Sequence, residues 1–192
     1  NLANIFKRQN KLDDAISFYE RSILADQNYA PAHKNLADVY ETSGDVDSAR
    51  YHFSSAIRIG HDVGAKIREA MLLPVIPDSL DQILEYRHKT SERLDQLSDQ
   101  KIIIEDPLRQ IGATNFLMAY HGMDDCLIQS KLANLYVKSC SALSFEAPHC
   151  AKWMPERVGE KYKIGFVSKF FFNHTIQRLN RGLIFGLPRE RF

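Results

Sequence analysis

The chain has 192 residues with 44% apolar and 26% charged content, enough to bury a core in one large domain or two small ones. Its 25 basic residues balance 24 acidic ones, and a formal charge of +1 gives no basic footprint for nucleic acid. No run of about 18 apolar residues is present, so no membrane span is expected. Asn1-Leu2-Ala3-Asn4 is not a signal peptide. The three cysteines, Cys126, Cys140 and Cys150, are an odd and widely spaced set. They point to a reducing, cytoplasmic setting rather than a disulfide framework. His149-Cys150 has no second ligand pair at zinc-like spacing, so no metal is expected. The chain opens inside a helical pattern without an initiator methionine and stops after a turn signal, so a piece of a longer protein is expected.

A repeat governs the first third. Shifted by 34 residues, Asn1-Leu2-Ala3 falls on Asn35-Leu36-Ala37, Phe6 on Tyr40, Asn10 on Gly44, Ala15 on Ala49, Tyr19 on Phe53 and Ile23 on Ile57. Small residues at Ala37 and Ala49 let antiparallel helices approach, and Leu36, Tyr40 and Phe53 fill the space between them. Asn10 and Gly44 sit where the turn between helices needs a left-handed residue. Residues 26–31, DQNYAP, form the connector. This pattern resembles the tetratricopeptide repeat over about residues 1–60. Such arrays commonly form a peptide-binding groove. Asn1 and Asn35 precede the Leu of each repeat, and an Asn amide offers both a donor and an acceptor to a peptide backbone. The alternative is a solvated or turn-capping Asn.

Residues 61–73 are expected to continue as helix, until Pro74 and Pro77 break the pattern. Asp78 or Ser79 can cap a helix to about Leu97, and Ser79 with Gln82 makes a capping box. Leu80, Ile83, Leu84, Leu94 and Leu97 form its expected inward stripe. KIIIEDP, residues 101–107, reads as a short strand or an extended connector. TNFLMAYHGMDD is an apolar stretch ending in a loop at His121-Gly122. His121 is a candidate polar group in a cleft, or a structural histidine. Asp124 or Asp125 caps a helix over about Cys126 to Cys140, with Leu127, Leu132, Leu135 and Tyr136 inward. Residues 144–160 read as a linker.

Lys163 to Ser168 is apolar and β-branched enough for a buried strand. Thr175 to Phe185 carries Ile176, Leu179, Leu183 and Ile184 at helical spacing, with Asn173 or Thr175 as cap and Pro188 as stop. Strand then helix reads as the first half of a parallel α/β unit, where ligands bind at the strand's C-terminal end. His174 stands at that mouth, as a functional group or a structural one. The glycine-rich dinucleotide fingerprint is absent, which excludes a standard nicotinamide site.

The repeats, then MLLPVIPDSLDQI, NFLMAYHG and IGFVSKFFFNHTIQRLNRGLI, resemble the O-linked N-acetylglucosamine transferase and SPINDLY family, bacterial members above all. The resemblance covers nearly the whole chain and is most specific from Ile164 to Leu179. It implies a mainly α chain in three parts. These are tetratricopeptide repeats (1–60), a helical linker region (61–143), and the first strand and helix of a truncated Rossmann-like, GT-B type lobe (144–192). It implies transfer of a sugar from a nucleotide sugar, UDP-linked, to Ser or Thr of proteins, with no cofactor and with the repeats recruiting the acceptor. His174 takes the place of the family's active-site histidine, with Asn173, Thr175 and His121 as substrate-binding neighbours. Phe170 stands where members often have Asp, and Thr175 where they have Pro. Competing readings are a repeat scaffold without catalysis and a nucleotide-sugar transferase acting on a glycan or lipid.

Overall fold

The structure is a computed structural model that describes residues 2–148, 150 and 164–190. It divides into two compact units, residues 1–145 and 146–192.

In the first unit the repeat register sets the packing. Four helices, α1 (Leu2–Arg8), α2 (Leu12–Ala25), α3 (Ala30–Ser43) and α4 (Val46–Gly60), form two antiparallel pairs. Asn10 and Gly44 both adopt left-handed backbone, at φ 58° and 87°, and so turn each pair at the same register position. The Asp45 carboxylate then accepts from Ser48 N–H at 3.0 Å and caps α4. Ala15 and Ala49 are fully buried and their missing bulk lets the helices close on Tyr19 and Phe53, which are buried too. Between α3 and α4, His33 and His52 face each other with their Nδ1 atoms 3.0 Å apart. His33 Nε2 donates to Gln27 O at 3.4 Å, so its Nδ1 accepts from His52. The His52 ring stacks on Tyr40.

The two repeats differ at their outer faces. Leu36 and Val39 of α3 are 0% exposed because α2 packs over them. Their register equivalents on α1, Leu2 and Ile5, are 49% and 50% exposed.

The helix expected across residues 61–73 is interrupted. His61 takes φ 50° and ends α4, Asp62 accepts from Ala65 N–H at 2.7 Å, and α5 runs only over Val63–Ala70. A left-handed residue followed at once by a capping carboxylate stops one helix and starts the next. Helix α6 (Leu80–Ser98) starts at the expected cap, with Ser79 Oγ accepting from Gln82 N–H. Its inward face is the expected one at Leu94 and Leu97 but not in the first turns. Leu80 and Leu84 are exposed, and the buried stripe is Arg87, Thr90, Leu94 and Leu97, because only the later turns meet other elements.

Residues 101–106 are an extended connector, with Ile102 and Ile104 buried, Ile103 outward and Ile104 N–H donating to Ser139 O at 2.8 Å. Asp106 caps the short α7 (Pro107–Gln110). Residues Phe116–His121 form a 3-10 helix closed by Gly122 at φ 66°. In α8 (Cys126–Ser139), Ile128, Leu132 and Leu135 are buried, whereas Leu127, expected inward, faces out. A second short 3-10 turn spans Ser141–Ser144.

The second unit contains α9 (Thr175–Phe185), preceded by residues 164–168 without regular secondary structure. Lys163 lies outside the described residues. No β-strand occurs among the described residues, so of the expected strand–helix unit only the helix is seen there. A strand needs a partner to take its N–H and C=O groups, and no described segment supplies one.

Candidate functional site

Three first helices of successive hairpins, α1, α3 and α5, are joined along one face by charge. Lys7 Nζ lies 3.0 Å from Asp38 Oδ2. Arg68 Nη2 bonds Glu41 Oε2 and sits 3.1 Å from Asp38 Oδ1, close enough for attraction but not angled as a hydrogen bond. Arg68 Nη1 donates to Ile111 O at 3.0 Å, and the guanidinium lies over the Phe53 ring at 5.4 Å. One repeat earlier in register stands Lys34. Its ammonium contacts both Asp62 oxygens at 3.0 and 3.1 Å and Gln110 O at 2.8 Å. Gly64 permits that approach, because a Cβ there would lie 1.9 Å from Gln110 O. The network fixes the spacing of the three helices and leaves a polar face between them.

Asn35 sits half-buried on α3. It lines a cleft of about 80 Å³ with Leu2, Tyr19, Ser22, Tyr29 and Ala32. Its amide has no hydrogen-bond partner among the described residues, so donor and acceptor are both available to a ligand backbone. Asn1, its expected counterpart, lies outside the described residues.

His121 ends the 3-10 helix, half-buried beside Arg87 and Asp125. Arg87 bonds Asp125 Oδ1 and the Asp124 carbonyl and so ties α6 to the start of α8. Burial first, then the Arg87 charge, pushes the His121 pKa down, against the pull of Asp125. The His121 Nδ1 is buried without a partner. Asp124, not Asp125, supplies the side-chain cap, accepting from Cys126 N–H at 2.8 Å.

In the second unit His174 is itself the helix cap, in place of Asn173 or Thr175. Its Nδ1 accepts from Ile176 N–H at 3.2 Å, and its ring stacks on Phe170 at 4.6 Å. In the neutral ring Nε2 then carries the proton. Asn173 Oδ1 accepts from Arg178 Nη2 at 2.7 Å, and Thr175 is the first helical residue. Asn173 lines a cavity of about 570 Å³ with Phe166, Phe171, Gln177, Arg181 and Phe185. Thus Asn173, His174 and Thr175 adjoin one another by sequence. Asn35 and His121 belong to the first unit and do not share a site.

Residues 1–28 match the tetratricopeptide repeat family. The matched stretch is α1, the Asn10 turn, α2 and the start of the connector. The 34-residue register carries the tetratricopeptide pattern on through α3 and α4. No curated protein matches the chain. Among the described residues no helix is long and apolar enough to cross a membrane. No group of three or more His, Cys, Asp or Glu gathers to hold a metal among them either. His149, named with Cys150 at the outset, lies outside the described residues.

The residues that sequence reading passed over are Lys34 and Arg68. The signal was present: they are a cation pair at the tetratricopeptide period.

Proposed function

We propose that the tetratricopeptide repeats recruit a protein or peptide, and that Asn35 holds its backbone. Repeats of this type commonly bind protein partners. The unpartnered, half-buried Asn35 amide in a cleft on α3 carries the reading. Replacing Asn35 with Ala should remove one to two hydrogen bonds of about 0.5–1.5 kcal/mol each and weaken peptide binding several-fold. Unchanged affinity for a peptide that binds the parent chain would remove Asn35 from the groove.

We further propose that the chain belongs to a protein O-glycosyltransferase and that residues 164–190 open its first Rossmann-like lobe. What supports this is the resemblance from Ile164 to Leu179 to the O-linked N-acetylglucosamine transferase and SPINDLY family. In that reaction an acceptor Ser or Thr oxygen bonds to the anomeric carbon as the bond to the nucleotide diphosphate breaks. His174 Nε2 would orient the acceptor or the donor phosphates, and a UDP-sugar would bind in a lobe beyond these residues. The test is a protein that carries this chain joined to such a lobe. His174→Ala should lower turnover by about 10²–10⁴ with donor affinity nearly kept. A second reading, a scaffold without catalysis, draws on the His174 ring already serving as a cap. Near-normal turnover with a lowered melting point would favour that structural role for His174.

A further inference from the structure

Most half-buried cations of the first unit have a carboxylate beside them: Lys7, Lys34, Arg68, Arg87 and Lys131 each form an ion pair. Three do not. Arg50 of α4, Lys66 of α5 and Arg93 of α6 are half-buried and have no acid within ion-pair distance among the described residues. Arg50 Nη1 is buried without any hydrogen-bond partner. Lys66 Nζ donates only to the neutral Gln100 Oε1, at 3.2 Å. Lys66 and Arg93 line a cleft of about 240 Å³ between α4, α5 and α6, with Ile57, Glu69, Gln96 and Gln100. Glu69 is the acid on this cleft, and its Oε1 accepts from Ser54 Oγ at 2.7 Å. A surplus of positive charge therefore faces a space with two amide side chains on its wall. Burial, and then the nearby Arg50 charge, lowers the Arg93 pKa, and the opposing pull of Glu69 does not cancel them.

We propose that this cleft binds a doubly charged oxyanion of the phosphate class. Lys66 and Arg93 supply the charge-assisted donors, Gln96 and Gln100 supply amide N–H groups, and Arg50, near Arg93, adds positive charge. A guanidinium beside an ammonium suits phosphate oxygens, the first by its planar fork and the second as a point charge. The site lies apart from the Asn35 cleft and does not depend on the recruitment role.

The experiment titrates inorganic phosphate into the whole chain at constant ionic strength, with chloride as balance. It follows the melting temperature and the backbone amide resonances of α5 and α6. A saturable rise in melting temperature is expected, with shifts centred on Lys66, Arg93 and Gln100. Arg93→Gln and Lys66→Gln should each weaken the response about ten-fold, the loss of one charge-assisted bond. In phosphate-free buffer Arg93→Gln should melt at or above the parent temperature, because it removes a repulsion rather than a pairing. O-phosphoserine binding more tightly than phosphate would assign the site to a phosphorylated side chain, and weaker binding would assign it to the free ion; both uphold the oxyanion. An equal response to acetate, or no response to phosphate, would overturn the proposal. So would an unchanged response in both variants.

Discussion

Replacing Arg68 by Met keeps the stem over Phe53 and deletes the charge that joins α5 to α3. The loss has three parts. Glu41 loses its partner outright, Asp38 keeps only Lys7, and the Ile111 carbonyl loses its donor. Removing one member of a fully buried pair costs about 3–5 kcal/mol, whereas exposed pairs are worth about 0–1. The Arg68 side chain is 11% exposed and those of Asp38 and Glu41 16% and 25%, which places the site between these limits. About 2 kcal/mol is the expected cost after solvent screening, or roughly 4–8 °C of melting temperature for a chain of this size. Urea unfolding followed by circular dichroism measures it. A double-mutant cycle with Glu41→Gln should return a coupling of about 1 kcal/mol, since the second change removes the acid that the first left unpaired. A loss below about 0.5 kcal/mol, or strict additivity in the cycle, would refute the view that this network sets the helix spacing.

Three further outcomes follow from the geometry. Burial and the neighbouring His33 hold the His52 pKa at about 4, below its ordinary 6.5. The unfolded chain therefore binds more protons between those values, so stability should fall as pH drops from about 6.5 toward 4. The loss should be on the order of 2 kcal/mol after discounting for partial exposure, and urea midpoints of His52→Gln should lack that slope. Gly64→Ala should destabilise by about 1–3 kcal/mol, because its Cβ would press on the Gln110 carbonyl; a neutral effect on the urea midpoint would mean α7 moves freely away. His174→Ala should cost α9 about 1 kcal/mol of cap, while His174→Asn, which keeps an acceptor, should cost less; equal loss of helicity in both would deny the ring its capping role.

What could be read from the sequence divides along physical lines. The tetratricopeptide positions were legible because each is fixed by a contact recurring at one period: small Ala49 against Phe53, left-handed Asn10 and Gly44. The start of α6 was legible because Ser79 and Gln82 bond within one turn. Leu94 and Leu97 were legible as its inward residues, but the face of its first turns was not. Arg87 is buried because Asp125 and the Asp124 carbonyl, distant in sequence, receive its guanidinium, while Leu80 and Leu84 find nothing to cover them. The break at His61 escaped notice because a histidine, not a glycine, takes the left-handed turn. At the α9 cap, Asn173 and Thr175 are the better cap formers by type. The stacking of His174 on Phe170 instead delivers a ring nitrogen to Ile176 N–H. Ile164 to Ser168 had strand composition, but a strand is a property of two segments.

The unequal faces of α1 and α3 bear on how the repeats come apart. Leu36 and Val39 are covered, whereas Leu2 and Ile5 are half open, so α1 opens at the cost of contacts on one flank only. In stacked repeats stability is carried from neighbour to neighbour, and opening proceeds from the weaker end inward. In a chain of these 192 residues taken alone, amide protection should therefore be lowest in α1, higher in α2, and highest in α3 and α4, which are held on both sides. A proteolytic cut near Asn10 would peel away seven helical residues before the core around Phe53 felt it.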